Sequence, residues 1–109
     1  MANTFKNEVF GGSNTAANTD MIVYTAPSST TTVVIGLSVA NLTTNQVTCD
    51  VKLNAGQTVH YVKNLPIPAA SSFEFMSGNK VILQAGDSMI VQSDTANSVD
   101  IIMAIMEIT

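Results

Sequence analysis

The chain holds one histidine and one cysteine, His60 and Cys49, and these are the side chains best suited to chemistry. A thiolate nucleophile needs an imidazole within hydrogen-bond reach and a third group to orient that imidazole. A zinc site needs three or four imidazole, thiolate or carboxylate ligands. Neither set assembles here. His60 lies between Val59 and Tyr61 in a strand-type run. Cys49 alternates with Val47, Val51 and Leu53 on an apolar face, where burial makes a thiol inert. The pair could meet across a hairpin, but that alternation turns Cys49 inward. We read both as structural residues and expect no catalysis. A small enzyme using Cys49 or His60 is the weakest functional reading.

The eight carboxylates, Glu8, Asp20, Asp50, Glu74, Asp87, Asp94, Asp100 and Glu107, are scattered singly. They form no calcium-loop pattern and no pair in the context of glycoside hydrolysis. Asp87, in Ala-Gly-Asp-Ser, fits turn chemistry: glycine supplies positive φ and the carboxylate bonds nearby backbone. Gly11-Gly12 and Gly86 open no helix, so neither reads as a phosphate loop. No cofactor or metal ligand is expected. Asn41-Leu42-Thr43 matches a glycosylation sequon, but nothing points to secretion. A sugar site would want exposed aromatic faces. The chain has no Trp, and Phe73 and Phe75, two apart on one face, read as core.

Composition narrows the function further. The 109 residues fit one domain, and 46% are hydrophobic but only 11% charged, against about 25% for a typical soluble domain. The net charge is −4 and no Arg is present, which argues against a nucleic-acid groove, because bidentate phosphate and guanine recognition is mainly Arg chemistry. The longest apolar run, Ile101 to Met106, falls far short of the roughly 18 to 20 residues of a membrane helix. Polar Asn, Lys and Glu occupy Met1 to Phe10, where a signal peptide would carry its apolar segment. A lone cysteine can form no internal disulfide.

The elements that must position these residues are strands. Runs rich in β-branched residues span Thr4 to Phe10, Met21 to Thr25, Thr31 to Asn41, Val47 to Leu53, Thr58 to Lys63, Ser72 to Met76, Lys80 to Gln84, Ser88 to Ser93 and Val99 to Thr109. Gly, Asn, Asp, Ser and Pro clusters separate them: Gly11-Gly12-Ser13, Ser77-Gly78-Asn79 and Ala85-Gly86-Asp87 read as turns. Asn14 to Asp20 is a polar loop. Asn64 to Pro68 is an extended crossing between sheets. No segment has helical periodicity. We expect an all-β, antiparallel, jelly-roll-like sandwich of about eight or nine short strands and no substantial helix. Residues 1–19 form an N-terminal strand or arm with its loop, and residues 20–109 the sandwich.

Two strands carry unusual patterns. In Thr31 to Asn41, simple alternation sets Val33, Ile35, Leu37 and Val39 opposite Val34, Gly36, Ser38 and Ala40, unless Gly36 marks a bulge. In Val99 to Thr109 both faces are apolar, which is unusual in a small sandwich with one wet face. Either the N-terminal segment covers this strand or another subunit does. The polar N-terminus makes a poor cover, so we favour a subunit contact. The candidate contact residues are Ile101, Met103, Ile105, Met106 and Ile108, with Leu65 and Ile67 from the proline-flanked segment.

Several segments, taken in order, resemble a family of small virion structural proteins of tailed bacteriophages, abundant in marine and cyanobacterial phages. They are Thr4-Phe5-Lys6-Asn7, Val23-Tyr24-Thr25-Ala26-Pro27, Val34 to Leu42, Asn64 to Ala69, Val81 to Ser88 and the terminal Glu107-Ile108-Thr109. The resemblance covers nearly the whole chain. It implies a β-sandwich built into the particle, without catalytic residues. Its expected role is capsid decoration or cement. The alternatives are a neck, tail or fibre-associated subunit, or an adhesin module binding host-surface glycan. Expected partners are other virion proteins, the major capsid protein or neck and tail proteins, and further copies of the chain, a trimer being favoured. No nucleic acid and no membrane is expected as partner. The place would be the virion, after synthesis in the host bacterial cytoplasm.

Overall fold

The computed structural model describes residues 2–11, 16–75 and 80–109. Nine strands appear among them: β1 (Asn3–Phe10), β2 (Met21–Thr25), β3 (Thr31–Asn41), β4 (Val47–Asn54), β5 (Thr58–Ile67), β6 (Ser72–Glu74), β7 (Val81–Leu83), β8 (Ser88–Ser93) and β9 (Val99–Ile108). The strand reading of the sequence holds, with small shifts at the ends. Gly12, Ser13, Asn14, Thr15, Met76 and the Ser77-Gly78-Asn79 turn lie outside the described residues.

One sheet, A, has the order β1-β9-β3-β6, with β7 on the same edge of β3 as β6; the other, B, has the order β2-β8-β4-β5. All pairings are antiparallel. The order follows from a nested ribbon. β4 pairs β5 across the Ala55–Gln57 turn, β3 pairs β6 and β7, β2 pairs β8, and β1 pairs β9. Rolling that ribbon up adds the β3–β9 and β4–β8 ladders. This is the strand order of a jelly roll.

The core lies between the sheets. Val34, Leu37, Val39, Ile101, Met103 and Ile105 of sheet A face Val47, Cys49, Val51, Met89 and Val91 of sheet B, all essentially solvent-free. Each large side chain so buried contributes about 1.5–3 kcal/mol relative to exposure.

Four sequence expectations change. The bulge in β3 falls between Val34 and Gly36. It flips the alternation, so Thr32 and Val34 point inward before it and Leu37, Val39 and Asn41 after it, while Val33 and Ile35 leave the core. The extended segment Asn64 to Ile67 is not the crossing but the end of β5. Pro66 is tolerated because β5 is an edge strand with no second ladder to feed. Chain transfer to sheet A begins at Pro68. Phe73 is 43% exposed while Phe75 is buried, although their rings meet at 4.9 Å. Finally, the N-terminal segment neither covers β9 nor leaves it alone: β1 lies beside it, in register from Asn3↔Ile108 to Phe10↔Ile101.

The sequon is structural. Asn41 is buried, and its Nδ2 donates to the carbonyls of Asn45, Ile67 and Pro68 at 2.8–3.1 Å while its Oδ1 accepts from the Thr43 amide and hydroxyl. It pins the β3–β4 loop to the end of β5, leaving the amide no access for a glycan.

Candidate interaction surface

The chemically capable residues are set to other work. Cys49 is fully buried and burial pushes its thiol up to about 11, so little thiolate exists near neutral pH. Its register partners are Leu65 and Ser93, whereas His60 stands opposite Lys52 on the outer face of sheet B. The two therefore sit on opposite faces. His60 Nε2 lies 4.0 Å from Asp50 Oδ2, but Asp50 Oδ1 already accepts the Asn64 amide at 2.7 Å beside the β5 irregularity.

A shallow polar pocket lined by Asn18, Thr48, Asp50, Asn64, Gln92, Ser93 and Asp94 adjoins these groups. Both of its carboxylates cap backbone, Asp94 Oδ1 taking the Thr48 amide at 3.0 Å. No three His, Cys, Asp or Glu side chains gather among the described residues in a way that could hold a metal. Among the described residues no helix is long and apolar enough to cross a membrane.

A polar latch joins the sheets at one end. Tyr24 of β2 donates its hydroxyl hydrogen to Glu107 Oε2 at 2.5 Å, with Thr32 Oγ1 2.8 Å away, and Lys6 of β1 reaches Glu107 Oε1 at 3.2 Å. Burial, then the contact with Glu107, pushes the Tyr24 phenol up to about 12. The Tyr24 hydrogen bond, reinforced by Lys6, holds the Glu107 carboxyl below its ordinary value.

The outer face of sheet A is different in kind. Residues paired across its strands share a face, so the register can be read as rows. One row runs Phe5, Met106, Val33, Ile82 across β1, β9, β3 and β7. A second runs Asn7, Ala104, Gly36, and a third Val9, Ile102, Ser38, Glu74. Phe5 is 72% exposed, Val9 70%, Ile82 58% and Ile102 51%. Within these three rows the only charged residue is Glu74, whose Oε2 accepts the Leu37 amide at 2.8 Å beside the bulge. Large apolar side chains left in water across neighbouring strands are uncommon on a monomer, which makes this face the candidate contact surface.

The seven contact candidates from the sequence divide accordingly. Ile101, Met103, Ile105 and Ile67 are at most 1% exposed and belong to the core, so this fold cannot offer them to a partner. The correction follows from β9 being a central strand with one face inward. Met106 and Ile108 are partly exposed on the outer face, and Leu65 is partly buried against the core from β5. Sequence reasoning missed Phe5, Val9 and Ile82 as surface residues. Phe5 and Val9 are four apart, hence on one strand face, and that spacing was the available signal.

No family model matches the chain, and no curated protein matches it in sequence. Among solved structures it is similar to a chain from the Bacillus endospore appendages, which form a family of disulfide-linked pili. That similarity has a TM-score of 0.58 and 16% identity over 99% of this chain and 87% of the other. Two structures of a pentameric capsid protein isolated from metagenomic phage sequences have TM-scores of 0.43 and 0.42. Each is 19% identical over 92% of this chain, which spans about 60% of theirs. At these identities, what the endospore-appendage chain and this one share is the fold.

Proposed function

We propose that this protein is a structural subunit of a bacteriophage particle, a decoration or cement protein that docks through the outer face of sheet A. The observation that carries the reading is the exposed apolar row Phe5, Met106, Val33, Ile82 with Val9 and Ile102 beside it. The sequence resemblance to virion structural proteins supports the particle, and the jelly-roll order is an architecture used in capsids. Low charge fits a surface that will be covered, because ions buried at a contact must be paired to be tolerated. The disulfide linkage of the endospore appendages has no counterpart here, since the only cysteine is buried. Other virion proteins and further copies of the chain are the partners, three copies being the count we put first for self-assembly.

The test is Met106→Lys together with Ile102→Lys, with particle incorporation followed by electron microscopy and thermal melting followed in parallel. We expect melting within a few degrees of wild type and loss of incorporation. Unfolding of the Met106→Lys protein would make this face ordinary core. Unchanged incorporation of both variants would remove the face from the contact. A glycan array showing specific binding, lost on changing Phe73 and Tyr61, would favour the adhesin instead, since these two half-exposed rings are the aromatic surface away from sheet A's outer face.

A further inference from the structure

The free edge of β1 matches itself. β1 ends sheet A, and among the described residues no strand pairs with its outer side. Ala2 and Thr109 exchange both backbone hydrogen bonds, at 3.0 and 2.9 Å, and the β1–β9 register continues from there without a shift. In an antiparallel ladder such exchanging pairs alternate. Thr4, Lys6, Glu8 and Phe10 therefore turn their backbone groups toward β9. Those of Asn3, Phe5, Asn7 and Val9 point away from the sheet and take no backbone partner among the described residues, a row of donors and acceptors turned toward another strand.

The side chains decide which strand. A two-fold axis perpendicular to the sheet and passing through Asn7 sets Phe5 opposite Val9 of the second copy, and Lys6 opposite Glu8 of the second copy, each twice. Apolar meets apolar on the outer face, and opposite charges meet on the inner face, at the closely spaced non-hydrogen-bonded positions. Asn7 meets Asn7, and the pairs centred on Phe5, Asn7 and Val9 are those whose backbone groups point away from β9. Moving the axis by one residue destroys the match. On Lys6 it places lysine against lysine, and on Glu8 glutamate against glutamate. Inward charges on an edge strand usually prevent pairing. Here their opposite signs, two residues apart, favour the register centred on Asn7, in which Lys6 and Glu8 meet twice.

We propose that two copies of this chain join edge to edge through antiparallel β1–β1 pairing centred on Asn7, merging their A sheets and their apolar outer faces into one continuous sheet. The inference goes beyond the particle assignment and does not depend on it, since it rests on the register of β1 alone. It uses the sheet edge, whereas docking to the particle uses the sheet face, so an oligomer built through the face would be joined two by two.

The test uses Asn7→Lys and Asn7→Glu, exposed positions outside the core, with mass read by light scattering on the full chain. Each variant alone places like charges on the axis and is expected to show half the wild-type mass with an unchanged melting temperature. An equal mixture of the two restores the wild-type mass, which follows only if residue 7 meets itself. Asn7→Cys should give a covalent dimer on mild oxidation, because directly opposed hydrogen-bonded pairs sit at about 5.5 Å between Cα atoms, within disulfide range, whereas Thr4→Cys should not. A monomeric wild-type chain, no recovery on mixing, or equal cross-linking of Asn7→Cys and Thr4→Cys would overturn the pairing. Persistence of the pair in Met106→Lys protein that no longer enters particles would separate this edge from the face.

Discussion

Glu107 ties three strands together through one carboxylate, and its surroundings give the protein a defined response to pH. Its folded pKa lies below the ordinary value of 4.5 because Tyr24 donates to it and Lys6 pairs with it. A group depressed in this way contributes stability fully above its unfolded pKa, and loses that contribution as pH falls through the folded value. Tyr24 works in the other direction. With its phenol raised to about 12 from 10.0, its contribution is complete below 10 and is lost as pH rises toward 12. Thermal melts against pH should thus show a plateau that falls on both sides. Glu107→Gln should lower the plateau and flatten the acid limb, and Tyr24→Phe should cost roughly 1.5–3 kcal/mol, the range for hydrogen bonds involving a charged group. The Lys6 contact is at the surface, so added salt should weaken its share. Equal acid limbs in wild type and Glu107→Gln would remove the latch from the account.

At the level of elements, turns and bulges govern what alternation alone misjudges. Gly86 has φ +90° between β7 and β8, where Asp87 Oδ2 accepts the Gln84 amide and the Asp87 amide donates back to the Gln84 carbonyl. An L side chain there is strained by about 1–2 kcal/mol, so Gly86→Ala should lower denaturant stability by that amount. Gly11→Ala, with open space around it and no positive φ, should change nothing measurable. That turn was legible in the sequence because Ala-Gly-Asp-Ser names its own chemistry. The β2, β3, β8 and β9 spans were legible for a related reason: punctuation bounded each apolar run. The bulge at Ile35 was visible only as an option, since alternation continues through Gly36 and nothing local says that one residue drops out. The two apolar faces of β9 were equally visible, but choosing the face that remains in water needed the pairing partners of that strand, and these lie far away in sequence. Phe5 and Val9 became a surface only once β1 was placed beside β9.

On the scale of the whole molecule, the low charge and the exposed apolar rows are one fact seen twice. Apolar residues exceed what the core can hold, and most of the surplus is gathered on sheet A, with Ile22, Val59 and Tyr61 exposed on sheet B. The nested ribbon adds a second consequence. Because every strand pairs with its mirror position about the Ala55–Gln57 turn, the outermost described residues, Ala2 and Thr109, end hydrogen-bonded to one another. The molecule is, in connectivity, nearly a closed ring, and where that ring is cut matters little to the finished architecture. A chain opened between Ala55 and Gly56 and joined from Thr109 to Ala2 by a short linker should reach the same fold, checked by its amide spectrum. It should do so along a different route. The native order can zip outward from the β4–β5 hairpin, each closed pair shortening the loop of the next, whereas the permuted chain has to start from β9 and β1.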